Sequence, residues 1–243
     1  MSTVATAWRS AARTDAGKVR ASNEDAVLDR PQQELWVVAD GMGGHQSGAL
    51  ASRLVVDSIA ELPDGSGLEQ RLAQLRQCLH ELNRHLGQTL TVTAAHPDPV
   101  IGSTVVALLA SGARAVCVWA GDSRCYLWRA GRLYQLSRDH SLVQELIDAQ
   151  QLTPEQAAQH PAAHALTRAV GAGEQLALDI LELEVLPGDT FLLCSDGLYQ
   201  ELTPEALGAA LSLPSAALAL QHLFDLALQG PARDNLSAVV IRR

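Results

Sequence analysis

Three stretches of this chain end the same way: an apolar run closes on an aspartate followed by a small residue. They are LWVVADG with Asp40, AVCVWAGDS with Asp122 and TFLLCSDG with Asp196. A fourth, RDNLSAVV, is the mirror image and sets Asp234 just ahead of its apolar run. Short apolar runs of this kind fit buried strands. A carboxylate cannot follow such a run into a core without a partner, so it belongs at the strand end, in a loop-lined cleft held by the scaffold. Taken singly, each Asp-Gly also reads as an ordinary turn. That reading weakens when four such sites all begin or end buried strands.

Around these runs the sequence alternates strand-rich and helical blocks. Leu50, Leu54, Val55, Ile59 and Leu62 recur at helical spacing over 49–62, and Pro63-Asp64-Gly65 then turns the chain. Leu68, Leu72, Leu75, Leu79, Leu82, Leu86 and Leu90 mark a long amphipathic helix whose stripe is core-facing. Residues 94–102 read as a loop. Strand-like runs follow at 104–110, 115–120, 125–128 and 133–136, with Gly112 and Gly131 as hairpin turns between antiparallel neighbours. Residues 141–170 turn polar and helical, as a surface excursion. Runs at 176–185, 190–194 and 236–241 read as strands, with helices near 204–211 and 215–228 between the last two.

One helix pair early, another late and antiparallel strands between them imply layers. The expected fold is α+β, an α-β-β-α four-layer sandwich of two mainly antiparallel sheets flanked by helices. A doubly wound parallel sheet is disfavoured because strict βαβ alternation is absent.

Nearly half of the 243 residues are apolar (47%), enough for one sizeable core. The net charge of −9, from 18 basic and 27 acidic residues, has the wrong sign for nonspecific nucleic-acid binding. No apolar run approaches the length of a membrane span, and the opening MSTVATAWRS lacks the apolar core of a signal peptide. The expectation is a cytoplasmic protein with no membrane insertion. Cys78, Cys117, Cys125 and Cys194 form no CxxC pair and read as small buried hydrophobes in a reducing compartment.

Four carboxylates in one cleft would repel unless protonated or neutralised by cations. Hard oxygen donors select Mg2+ or Mn2+, and no Cys/His cluster argues for zinc. Two further segments carry chemistry. RASNEDA supplies Arg20, whose planar fork suits phosphoryl oxygens, and Glu24 and Asp25, which can orient metal-bound water. As an isolated segment it also reads as a surface ion-pair cluster. DGMGGHQSG is glycine-rich, so its backbone can approach a ligand closely and the Gly41 carbonyl can act as a hard ligand. It lacks the Lys-Ser/Thr ending of a P-loop.

In order, TDAGKVRASNEDA, VVADGMGGHQSG, GSTVV, AGDSR, RDHSLVQELIDAQQLTPEQAAQHP with HALTRAVG, CSDGL and RDNLSAVV span most of the chain. Together they resemble the type-2C metal-dependent Ser/Thr protein phosphatases in their short bacterial form. The resemblance implies one catalytic domain over 1–243 with a flap at about 140–170. It implies two or three Mn2+ or Mg2+ ions: Asp40 bridging two, the Gly41 carbonyl on one, Asp196 and Asp234 on the other, and Asp122 with Asp196 at a weaker third. Arg20 matches the phosphate-binding arginine, and Glu24, Asp25 and Asn235 match positions around the metals and their waters. Eukaryotic members carry a histidine after the Asp-Gly; here Met42 stands there, as in many bacterial members. His45 is then the candidate general acid, with a metal-bound water as the rival. The implied substrates are phosphoproteins, the implied partner a cognate Ser/Thr kinase, and the implied state a monomer. Rival readings are a phosphodiesterase or small-molecule phosphatase, and a catalytically inactive phospho-dependent binding domain.

Overall fold

The computed structural model describes residues 8–43, 46–63, 65, 67–89, 101–157 and 159–243. In chain order, β1 (Arg9–Asp15), β2 (Asp25–Arg30) and β3 (Leu35–Met42) lead into α1 (Gln46–Ala60) and α2 (Leu68–Thr89). A two-residue strand, β4 (Gly102–Ser103), precedes β5 (Val105–Ser111), β6 (Arg114–Ala120), β7 (Arg124–Arg129) and β8 (Arg132–Gln135). The short helices α3 (Leu142–Asp148) and α4 (Pro154–Ala157) follow, then β9 (Asp179–Glu184), β10 (Thr190–Cys194), α5 (Asp196–Tyr199), α6 (Pro204–Leu211), α7 (Ala216–Ala227) and β11 (Leu236–Arg242).

The strands form two sheets, ordered β1-β11-β10-β7-β8 and β2-β3-β5-β6-β9, with β4 added on β3. Every pairing is antiparallel. Side chains alternate faces along a strand, and that alternation builds the layers. On β3, Leu35, Val37 and Ala39 pack on α1 and α2 through Val55, Ile59, Leu75 and Leu79. Trp36 and Val38 point the other way and meet Phe191, Leu193, Val239 and Ile241 of the facing sheet. The outer face of that sheet, with Leu192 and Val240, is covered by Leu207, Leu211, Leu223 and Phe224 of α6 and α7. The order helix, sheet, sheet, helix is the one expected.

The hairpins at Gly112 and Gly131 form as expected, joining β5 to β6 and β7 to β8. Between β6 and β7 the chain does something periodicity does not signal: it crosses from one sheet to the other through Gly121-Asp122-Ser123. Of the leucine stripe, Leu68, Leu75, Leu79, Leu82 and Leu86 are buried and Leu72 partly so, while Leu90 lies outside the described residues. Most of the 94–102 loop also lies outside them, but Gly102 belongs to β4.

Three expectations need correction. β1 and β2 have no counterpart in the sequence reading, because their mixed burial leaves no apolar run to detect. The strand expected at 176–185 is confined to Asp179–Glu184, an edge strand with an exposed alternate face. The segment 141–170 is less helical than its composition suggests. Among the described residues there only α3 and α4 are helices, and beyond them His160-Pro161 keeps the chain out of helix while Ser141 bridges to Leu166.

Phe191 is fully buried between the sheets, 6.3 Å from the Trp8 ring. Phe191→Ala is expected to cost about 3–5 kcal/mol of stability, the usual loss for an aromatic deleted from a core. Chemical denaturation of both proteins checks this, and a much smaller loss would mean that the inter-sheet layer collapses around the cavity.

Candidate active site

The alternation that fills the space between the sheets continues past the end of the apolar core. On β3, Asp40 follows Trp36 and Val38 on the inter-sheet face; on β2, Asp25 shares a face with Val27. After Phe191 and Leu193 comes Ser195, and ahead of Val239 come Ser237 and Asn235. The apolar layer therefore ends in a polar floor. Ser195 Oγ donates to Asp25 Oδ2 at 2.8 Å, and Ser237 N donates to Ser195 Oγ at 3.0 Å. Above this floor opens a cavity of about 780 Å³. Arg20, Glu24, Asp40, Gly41, Asp122, Asp196, Asp234 and Asn235 line it, with Thr104, His164, Leu166 and Ala172 among its remaining walls. The structure thus brings together every expected site residue except two. Asp25 lies beneath the floor, and His45 lies outside the described residues.

Each carboxylate is held by a different local device. Asp40 is clamped by Thr104: its amide donates to Thr104 Oγ1 at 2.9 Å and its carbonyl accepts Thr104 N at 2.8 Å. The strand does not stop at Asp40, as the sequence suggests, but runs on through Gly41 and Met42, paired to Ser103 and Gly102. Gly41 has no room for a side chain, since a Cβ would collide with the Gly48 carbonyl and come within 2.7 Å of that of Glu24. Asp122 sits on the crossing between the sheets, where Tyr199 Oη donates to its carbonyl at 3.2 Å. Asp196 opens α5 and accepts from Gln200 Nε2 at 2.8 Å. Asp234 takes Arg20 Nη2 at 2.7 Å, and its Oδ1 accepts the Asn235 amide at 2.8 Å.

Asn235 ties the RASNEDA loop to β11. Its Oδ1 accepts from Glu24 N at 2.8 Å, and its Nδ2 donates to the carbonyls of Ala16 and Ser22 at 3.1 and 3.0 Å. Sequence reasoning missed His164, Tyr199 and Thr104. His164 Nδ1 stands 3.9 Å from Asp196 Oδ2, from a largely exposed side chain. Its segment, HALTRAVG, was legible as a motif, but nothing in its spacing says which residue reaches the cavity.

The chain matches the family model of protein phosphatase 2C over residues 15–232. It belongs to that family. It is 38% identical over 241 residues to the serine/threonine protein phosphatase PstP of Mycobacterium tuberculosis, covering 99% of this chain and 46% of PstP. The chain thus spans about half the length of that relative. Among solved structures it is similar to PppA of Pseudomonas aeruginosa, described as a key regulatory component of T6SS, with 44% identity, a TM-score of 0.89 and 98% of each chain covered. It is also similar to the catalytic domain of PstP in complex with two manganese ions, with 36% identity, a TM-score of 0.81 and 97% of each chain covered.

The electrostatics of this phosphatase-family cleft are those of acids forced together. Burial, and then the charges of Asp25, Asp196, Asp122 and Asp234, push the Asp40 carboxyl well above the usual carboxylate range. Burial raises Asp25 to about 6, with Asp196 adding and the Ser237 and Ser195 hydroxyls opposing. Burial and Asp196 raise Asp122 to about 7, and burial and Asp234 raise Asp196. Among the described residues, no group of three His, Cys, Asp or Glu side chains is gathered tightly enough to hold an ion as the side chains stand. The fit to a divalent cation rests on donor chemistry instead: several hard oxygens that cannot all be ionised together, and a buried Asp25 Oδ1 with no hydrogen-bond partner.

Because these carboxyls are raised, the folded chain holds protons that the unfolded chain has released. Their contribution to stability is full below the ordinary carboxylate range and is lost as pH rises through about 6 for Asp25 and about 7 for Asp122. In chelator, Asp122→Asn is therefore expected to melt above the wild type by a margin that widens from about pH 5 to about pH 8. Adding Mn2+ should shrink that margin. A margin independent of pH would mean that the fold does not raise the Asp122 carboxyl.

Proposed function

We propose that this chain is a protein-serine/threonine phosphatase that hydrolyses phosphoserine and phosphothreonine with divalent-metal assistance. The observation that carries the reading is the convergence of Asp40, Asp122, Asp196 and Asp234 on one open cavity with the Arg20 guanidinium at its rim. Asp40, the Gly41 carbonyl, Asp196 and Asp234 are the residues we assign to a pair of Mn2+ or Mg2+ ions, with Asp122 and Asp196 at a third. Bound there, such ions supply charge neutralisation and activation of water for in-line attack on phosphorus.

Ser103, Ser123, Cys125 and Cys194 are unsuited as nucleophiles, and we assign the attack to water. Ser103 Oγ donates to the Asp40 and Thr104 carbonyls, and Ser123 Oγ pairs with Thr104 Oγ1 at 2.7 Å, so neither has a base beside it. Cys125 and Cys194 are fully buried. Contact with Cys117 and burial push the Cys125 thiol up, and burial raises that of Cys194. Arg20 is half exposed and pre-aimed by Asp234, so its fork can take two phosphoryl oxygens. Asn235 and the Glu24 backbone hold the loop that carries it. His45 keeps its place as the proposed general acid on sequence grounds alone.

The segment 140–170 is the proposed flap. It sets His164 and Leu166 on the cavity wall, where they would meet the residues flanking a phosphorylated side chain. We assign the whole chain to one catalytic unit acting as a monomer on phosphorylated proteins, opposite a Ser/Thr kinase. The relatives' names as Ser/Thr phosphatases support phosphorylated proteins as the substrates. Among the described residues no helix is long and apolar enough to cross a membrane, and the four cysteines are free, which supports a cytoplasmic site of action. The acidic composition speaks against nucleic acid as a partner. An inactive binding domain would have no reason to keep four mutually repelling carboxylates.

Hydrolysis of a phosphothreonine peptide is expected with Mn2+ or Mg2+, to stop with chelator, and to be absent in Asp196→Ala. A folded, metal-loaded wild type without turnover would overturn the reading in favour of a binding domain. Arg20→Ala should mainly raise KM, about tenfold or more, with a smaller change in kcat, as expected for loss of substrate binding. An effect confined to kcat would reassign Arg20.

A further inference from the structure

Behind the cavity wall sits a buried imidazole that the reaction does not touch. His140 is 6% exposed and stacks on Trp119, with ring centroids 6.1 Å apart and planes 13° from parallel. Its Nδ1 accepts the Gly121 amide at 3.2 Å, while its own amide donates to the Gly121 carbonyl at 2.9 Å. A ring nitrogen that accepts a backbone N–H carries no proton, so the proton resides on Nε2. That nitrogen faces Asp179 Oδ2 at 3.2 Å, and Arg168 donates to the same carboxylate at 3.0 Å. Burial lowers the ring's pKa against the pull of Asp179, in keeping with a neutral imidazole.

Gly121 is the hinge of the crossing between the sheets. Its φ of +111° excludes ordinary side chains, and a Cβ would stand 2.6 Å from Thr104 Cγ2. The next residue is Asp122. Its neighbours fix the crossing from two other sides, through Tyr199 on the Asp122 carbonyl and Thr104 on Ser123. His140 holds the third side at both polar groups of Gly121, taking the amide with its ring and the carbonyl with its own amide. The backbone of His140 also accepts the Thr167 amide at 2.9 Å, so one residue grips both the crossing and the start of the return from the proposed flap.

We propose that His140 is a positioning residue whose Nδ1 fixes the Gly121–Ser123 crossing and thereby sets Asp122 in the cleft. This deepens the phosphatase reading and, for the metal arm of its test, rests on it. Two conservative variants separate the two ring nitrogens. His140→Asn keeps an acceptor near the Nδ1 position; His140→Gln keeps a donor near Nε2 and loses the acceptor. Both lose the stacking on Trp119, so packing alone would make them alike.

The first readout is exchange of the Gly121 amide, followed by NMR in metal-free protein. Exchange about tenfold faster is expected in His140→Gln and His140→Ala, with His140→Asn close to wild type, since a local opening is set free only where the acceptor is lost. The second is calorimetric titration with Mn2+ alone. Loss of a residue behind a ligand typically weakens binding about 10–100-fold, so the ion that Asp122→Ala abolishes should weaken in Gln and be retained in Asn. Equal behaviour of Asn and Gln, an Ala variant indistinguishable from wild type, or failure of both Asn and Gln to fold would each overturn the proposal. The exchange arm needs neither metal nor substrate. A wild type without phosphatase activity would therefore sink the functional reading and leave this inference standing or falling on its own.

Discussion

Every strand that reaches the cleft presents alternate residues to the space between the sheets, and at one end of that space the residues presented are polar, Asp25 and Asp40 among them. The fold depends on this geometry. Trp36, Phe191, Leu193 and Ile241 leave water together, and burying side chains of this size contributes about 1.5–3 kcal/mol each. The same rigid alternation leaves Asp25 and Asp40 no other place to go. Packing supplies the force that holds these carboxyls in a low-dielectric site, where burial first and their neighbours' charges second raise their proton affinities. A core and a reactive centre are here two ends of one layer.

The supporting polar groups act on the frame of the cleft. Asn235, Thr104 and Tyr199 bond backbone groups of the cleft, and Ser195 donates to the Asp25 carboxylate beneath it. Asn235 satisfies three backbone groups of the loop that carries Arg20 and Glu24. Thr104 fixes Asp40 through both its hydroxyl and its amide. Such groups leave little freedom to the residues that line the cleft, which is the form preorganisation takes in a site built from loops.

How much of this was legible beforehand follows from what kind of signal each part leaves. The buried strands at 105–111, 114–120, 190–194 and 236–242 are apolar runs, and the helices at 68–89, 204–211 and 216–227 carry a stripe, so local sequence suffices. The aspartates at their ends were legible for the same reason. β1 and β2 were not, because an edge or half-buried strand with polar alternation resembles loop. The sheet change at Gly121-Asp122-Ser123 was not either, since a tight turn within one sheet and a passage between two sheets use the same residues. His140, His164 and Tyr199 were invisible for a further reason: each acts through a partner far along the chain, and no local pattern records such a pairing.

The pairing of β1 with β11 has a consequence for the chain as it is made. β1 has β11 as its sheet partner, from Arg9 opposite Arg242 to Asp15 opposite Leu236. The loop after β1, which bears Arg20, is anchored by Asn235. During synthesis β1 thus lacks its sheet partner, and the loop bearing Arg20 lacks its anchor, until β11 has left the ribosome. Long-range closure of this kind is slow to form. A chain that stops short of Asp234 therefore lacks both that carboxylate and the Asn235 anchor, and cannot assemble the cleft.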